Sequence, residues 1–295
     1  MVIPTRNRRS QLEACVGSVM KSDYNGLEVI VVDDCSDERV EAPLDHWGSR
    51  VRVIRNPSRR LLSYSRNVGA SASSGDFVFF LDDDNVIATD TITELARTFD
   101  LAPGIAVACP VIYLARKPGT VWTSDIRKGR IPGFYILDTA EPVRPVRTFS
   151  FHNSFMVRRD VFNDVGGFDS QHFPIHISEL DLAYRLQGEG YIAVVNPRAK
   201  TWHDVAESHM HVDSSRSFYT LRNRIILLRR YESAGTFWAY TLGVLPPLVA
   251  YYVFHHMLSS SDRRFLASYN VLRGVVAGLA MRDIAPRLPR RTDSA

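Results

Sequence analysis

The chain has 295 residues, 45% hydrophobic and 23% charged, a length and balance that allow a large buried core and exclude a disordered polypeptide. Its 36 basic and 32 acidic residues leave a net charge of only +4, too small to argue for a nucleic-acid partner. Cys15, Cys35 and Cys109 are far apart, with no zinc-type spacing, and read as small buried side chains in a reducing compartment.

Met1 runs straight into an apolar segment with no signal-peptide pattern, so the expectation is a cytoplasmic protein. Short β-branched runs predict strands at residues 2–4, 27–32, 51–54, 77–81 and 105–108. Helical periodicity predicts helices at 10–21, 37–47, 63–73 and 89–99. Such alternation implies an α/β fold with a doubly wound, mostly parallel sheet. The strands are almost continuously apolar, as expected when helices cover both faces. Ligands of these sheets bind beyond the C-terminal ends of the strands, where Asp33-Asp34 and Asp82-Asp83-Asp84 fall.

Residues 113–147 are rich in Pro and Gly and read as a long excursion over that face. Regular structure is expected again at 150–157, followed by a turn at Gly166-Gly167, a helix at 178–187 and a strand at 191–195. A basic helix at 214–231 comes next. Residues 233–261 contain no formally charged side chain, a length sufficient to span a bilayer. Pro246-Pro247 would kink or break a helix there, and basic pairs flank both ends, Arg229-Arg230 and Arg263-Arg264. This pattern predicts a membrane-associating helical segment that lies on the membrane surface or spans it, with the arginines of 214–231 facing anionic headgroups; a buried core or oligomer helix is the remaining reading. The expected divisions are an α/β domain over 1–212, in halves 1–110 and 111–212, then helices over 213–284 and a basic flexible tail over 285–295.

Three carboxylates in a row repel one another and serve no fold. They can cap a solvated turn, or hold Mg²⁺ or Mn²⁺ together with a ligand's phosphates. The second acidic pair on a neighbouring strand favours the metal reading.

The run Val2-Ile3-Pro4-Thr5-Arg6-Asn7-Arg8, then Val31-Val32-Asp33-Asp34-Cys35-Ser36, Ser65-Arg66-Asn67-Val68-Gly69 and Gly75 to Asn85 resembles the family 2 glycosyltransferases of GT-A fold. Val165-Gly166-Gly167-Phe168-Asp169 and Ser178-Glu179-Leu180-Asp181 continue the likeness in the same order, over residues 1 to 230. The resemblance implies inverting transfer of a sugar from a UDP-, GDP- or dTDP-linked donor to a lipid-linked or glycan acceptor, with 1–110 as the nucleotide-sugar-binding half and 111–212 as the acceptor and catalytic half of the domain over 1–212. It implies that Pro4, Thr5 and Asn7 form the first loop beneath the nucleotide. Asp33 and Asp34 would contact base or ribose, and Arg66 with Asn67 would face base and phosphates. Asp82 and Asp83 would lie on the donor, and Asp84 would bind the cation, with Asp82 and His203 as further metal candidates.

An inverting transfer needs a base for the acceptor hydroxyl. Relatives open a helix with an acidic pair there, whereas this chain has Ser178-Glu179 followed by Asp181. Glu179 is the expected base and Asp181 the reserve. The altered pair leaves open a non-catalytic module that binds nucleotide sugar or lipid. A sugar-phosphate nucleotidylyltransferase is disfavoured because its glycine-rich first loop is missing, and a dehydrogenase because no GxGxxG follows the first strand. Processive synthases carry Gln-x-x-Arg-Trp and several spans; neither is seen, which favours single addition.

Overall fold

The computed structural model describes residues 1–40, 42–204, 214–258 and 264–281. The expected boundary at 212/213, the flanking Arg263 and the tail over 285–295 lie outside them. Strands β1 (Val2–Thr5), β2 (Val29–Asp33), β3 (Val51–Arg55) and β4 (Phe77–Leu81) run parallel in the order β3-β2-β1-β4. Helices α1 (Arg9–Val19) and α2 (Leu62–Ala72) form two of the connections between them, and α3 (Thr91–Thr98) follows. The helix expected at 37–47 is instead a pair of 3-10 turns over Ala42–Arg50, kinked at Gly48 with φ 57°. Pro43 lacks a backbone donor and Gly48 takes a left-handed conformation, which together deny an α-helix its ladder.

Strands β5 (Asn85–Ile87), β6 (Ile105–Leu114), β7 (Lys117–Thr123), β8 (Asp125–Lys128), β9 (Tyr135–Asp138), β10 (Val146–Thr148), β11 (Ser154–Arg158) and β12 (Ile192–His203) complete the β-structure. The sheet continues from β4 as β11-β6-β12-β10. Strand β11 is antiparallel to both β4 and β6, while β12 is parallel to β6. The parallel region is therefore the half built from β1 to β4, and the sheet as a whole is mixed. The stretch expected to be an irregular excursion carries β7, β8 and β9, short strands whose alternation is interrupted by Pro and Gly. Successive residues of β4 serve opposite faces: Val78 and Phe80 enter one apolar core, Phe79 and Leu81 the other.

Helices α4 (Arg159–Asp164) and α5 (Ser178–Gly188) precede the C-terminal group. That group comprises α6 (Ser214–Tyr231), α7 (Ala234–Ala239), a π-helical turn (Tyr240–Val244), α8 (Leu245–Leu258) and α9 (Arg264–Ala280). Pro246-Pro247 does not break the helix. The wider turn just before it accommodates carbonyls that lose their i+4 donors, and Ala234–Leu258 continues as one 25-residue helix whose most apolar stretch of 18 residues has a mean hydropathy of 1.3. By length and composition it could cross a membrane.

One face of α6 is bound to the α/β body. Arg222 Nη1 donates to His172 O at 2.7 Å, and Arg230 Nη1 donates to Asp169 Oδ2 and Asp181 Oδ1 at 2.9 and 2.7 Å. Its other face packs Leu221, Ile225 and Leu228 against Phe237, Tyr240, Leu245 and Val271. At Gly274 of α9 an added Cβ would overlap the Phe218 carbonyl, so α6 and α9 touch backbone to backbone. The expectation that the α6 arginines face lipid headgroups is thus corrected for Arg222 and Arg230. Arg222 and Arg230 are buried, Arg229 caps the carbonyls of Leu279 and Met281, and Arg216 and Arg224 line a cleft. The exposed apolar surface lies instead on α7 to α9, at Trp238, Leu242, Tyr251, Phe254, Phe265, Tyr269, Leu272 and Val276.

Candidate active site

Strand β1 lies between β2, which follows it, and β4, reached only after the chain has passed through β3. A crevice opens at such a reversal of winding, at the C-terminal ends of the strands. A cleft of about 800 Å³ occupies this position, at the upper end of the roughly 300–1,000 Å³ typical of small-molecule sites. Pro4, Thr5, Arg8, Asp34, Asp82, Asp83 and Asp84 line its strand-end wall. Thr5 Oγ1 donates to Asp83 Oδ2 at 2.6 Å, stitching β1 to the acidic run. Burial pushes the Asp83 carboxyl up to about 7, against the opposing pull of Arg8 and Thr5.

The pairing of β5 with β12 places His203 opposite Asn85. His203 Nε2 thereby comes to 3.4 Å from Asp84 Oδ1. Arg8 Nη1 donates to Asp84 Oδ2 at 2.7 Å and to Asp83 Oδ1 at 3.1 Å. Burial alone would raise Asp84, but His203 and Arg8 hold it below the ordinary carboxylate range. One carboxylate and one imidazole fit a Mn²⁺ or Mg²⁺ ion that takes its remaining ligands from phosphates and water. Among the described residues no group of three or more His, Cys, Asp or Glu is arranged to hold a metal. Asp82, the other expected metal ligand, is engaged elsewhere: its Oδ1 accepts from Arg66 Nη2 at 2.8 Å.

Arg66 is fully buried, and its guanidinium lies 5.9 and 5.3 Å from the Phe155 and Phe168 ring centroids. Its Nη1 donates to Glu179 Oε1 at 2.6 Å, so one side chain joins the acidic run to the start of α5. Ser178 Oγ donates to Glu179 Oε2 at 3.0 Å. Burial would raise Glu179; the Arg66 charge and hydrogen bond override it and keep this carboxyl below its usual value. The turn that delivers Glu179 contains two successive left-handed residues, His176 (φ 58°) and Ile177 (φ 62°). That conformation is costly for a β-branched side chain. Asn223 of α6 holds it, Nδ2 donating to Ile175 O at 2.7 Å and His176 O at 3.0 Å.

Asp181 does not reach the cleft. Residues two apart on a helix point to different faces, and Asp181 is wholly buried between Arg185, Arg230 and the Tyr231 hydroxyl. Asp33 is buried beneath the loop, accepting from Ser36 and Arg55. Asp34 lines the cleft while bracing Asn56 and the backbone donors of Arg60 and Leu61. Asn7 exchanges hydrogen bonds with Asp37. Asn67 clasps the Phe168 backbone through both ends of its amide, fixing the Gly166-Gly167 turn rather than facing a ligand.

Several lining residues escaped sequence reasoning. Arg8 stood in the first motif without a role. Trp122 of β7 sits with its ring centroid 4.9 Å from His152 and 4.7 Å from His203. Burial drives the His152 imidazole down to about 4, so it is neutral near pH 7. The carbonyl of Asn153 accepts from Asp82 N. The lining also includes Leu137, Ile175, Ile177 and, from α6, Arg216, Thr220 and Arg224.

The model of the family "Glycosyl transferase family 2" matches residues 1–166. An "Uncharacterized glycosyltransferase" of Haemophilus influenzae is 35% identical over 105 residues, covering 36% of this chain and 35% of that protein. The "Glucosyl-dolichyl phosphate glucuronosyltransferase" of Haloferax volcanii is 28% identical over 248 residues, covering 77% of this chain and 76% of its own. The chain thus spans about a third of the first relative and about three quarters of the second. Among solved structures, GalNAc-T7 with UDP, GalNAc and Mn²⁺ superposes with a TM-score of 0.63 at 17% identity, over 92% of this chain and 53% of that one. That likeness establishes the shared fold.

Proposed function

The chain belongs to glycosyl transferase family 2, and from that premise we propose that it moves a single sugar from a nucleoside-diphosphate donor to a lipid-linked or glycan acceptor with inversion. The observation that carries this reading is the position of Glu179, in the same cleft as Asp82-Asp83-Asp84 and joined to them through Arg66. The donor lies along the ends of β1 and β4, with Pro4, Thr5 and Asp34 toward the nucleotide. Asp84 and His203 would hold Mn²⁺ or Mg²⁺, which when bound offsets the charge of the departing diphosphate. Glu179, ionised at neutral pH, accepts the acceptor hydroxyl's proton as its oxygen bonds to the anomeric carbon. The bond from that carbon to the diphosphate oxygen breaks, and the nucleoside diphosphate leaves with the electron pair.

The Haloferax volcanii relative, by its name, acts on a dolichyl phosphate-linked sugar, and the exposed apolar helices α7 to α9 suit an enzyme working at a membrane surface. Both support the lipid-linked acceptor. The test is thermal-shift screening of UDP-, GDP- and dTDP-sugars with and without Mn²⁺, followed by transfer assays on Glu179→Gln. Metal-dependent stabilisation by one donor, with binding kept and transfer lost in the variant, is the expected result. A panel with no metal-dependent donor would overturn the reading.

A further inference from the structure

The cleft has two walls of different chemistry. The strand-end wall carries the acidic run, Thr5 and Arg8; the other is α6, which presents Arg216, Thr220 and Arg224 at intervals of four residues. That spacing puts all three on one helical face. Arg224 is notable for what it lacks. Its Nε and Nη1 are buried without a well-formed hydrogen bond, its guanidinium stacks 4.8 Å from the Phe134 ring centroid, and the polar group beside it is the buried Tyr240 hydroxyl. Donors held dry beside a cleft without an acceptor are costly, and a phosphate oxygen is the acceptor that a guanidinium fork matches best.

This wall is also the one that meets the apolar helices. Ser217, next to Arg216, hydrogen-bonds His256 of α8 at 3.0 Å. His256 lies between the exposed Phe254 and the exposed Met257 and Leu258. The exposed Phe265 and Leu266 open α9, and Arg273 of that helix stacks over Phe218 of α6. The apolar end of α8 therefore adjoins the arginine-bearing helix α6 at Ser217. We propose that Arg216 and Arg224 bind the phosphate of an isoprenoid-type lipid acceptor, and that its hydrocarbon chain leaves the cleft across the exposed ends of α8 and α9. The donor's diphosphate is served separately, on the strand-end wall. This assignment rests on the lipid-linked reading above and names the site that reading lacks.

The experiment uses the full chain with farnesyl phosphate as probe and calorimetry as readout, beside farnesol and inorganic phosphate, and with UDP plus Mn²⁺ titrated in parallel. Farnesyl phosphate is expected to bind at least about tenfold more tightly than farnesol or inorganic phosphate alone, because head and tail contribute together. Arg216→Glu, a surface change, and Arg224→Lys, which keeps the charge but loses the fork, are each expected to weaken it by about tenfold. UDP affinity in both variants should stay within about twofold, which also reports that the fold is intact. Unchanged farnesyl phosphate binding in both variants, or an equal loss of UDP affinity, would overturn the assignment. Binding of inorganic phosphate as tight as that of farnesyl phosphate would overturn the lipid arm. Absence of donor binding in the wild-type chain would instead strike the proposed transfer reaction.

Discussion

Arg66 and Glu179 meet at 2.6 Å inside the protein, with the arginine wholly shielded from water and also bonded to Asp82. Removing the guanidinium leaves Glu179 desolvated and facing Asp82, with the neutral His152 nearby. Its pKa should then rise. Arg66→Gln is expected to move the acidic limb of the kcat profile to higher pH, since a base with a raised pKa stays protonated further up the scale. Arg66→Lys should restore part of the shift. A pH–rate profile of the three proteins checks this, and superimposable limbs would refute it.

Glu179→Gln and Asp181→Asn should fail in different ways. Glu179 lies at the cleft and Arg66 keeps Asp82 when Glu179 becomes an amide, so that change should cost turnover and less stability than Asp181→Asn, which leaves Arg185 without its carboxylate. Asp181 neutralises Arg185 and Arg230 in the interior, and breaking a buried ion pair costs about 3–5 kcal/mol. Urea unfolding beside single-turnover transfer separates the two. Equal destabilisation by both would contradict the placement described here.

Asp84→Asn and His203→Ala are each expected to weaken Mn²⁺-dependent donor binding by at least about tenfold. Metal-free nucleotide affinity should change little. Titrating Mn²⁺ at fixed UDP measures this directly, and an unchanged Mn²⁺ midpoint in both variants would exclude the pair as the donor set.

Asn223→Ala should release the left-handed pair at His176 and Ile177. The loss of two hydrogen bonds to part-buried carbonyls predicts about 1 kcal/mol of destabilisation. Turnover should fall further than stability alone explains, because the same turn delivers Glu179. Restoration of turnover by Asn223→Asp would argue against this, since an aspartate cannot donate to those carbonyls.

The alternation of strand and helix made β1 to β4 legible in the sequence, and with them Thr5, Asp34 and Asp82 to Asp84. Orientation was not legible. Asp33 and Asp34 are adjacent, yet neighbours on a strand point to opposite sides, so only the second lines the cleft. Arg66 and Asn67 divide similarly on α2. Asn223 and Trp122 could not be read as site residues, because their partners are distant in sequence and each alone resembles ordinary helix or strand filling. The strands of 113–147 were hidden by interruptions that erase the period of two.

Helix α6 faces the cleft on one side and α8 and α9 on the other, with Gly274 bringing α9 against its backbone. A helix is about 10–12 Å across. The cleft and the exposed apolar faces of α8 and α9 are therefore two helix layers apart, so a ligand that touches both must pass around α6 rather than through it.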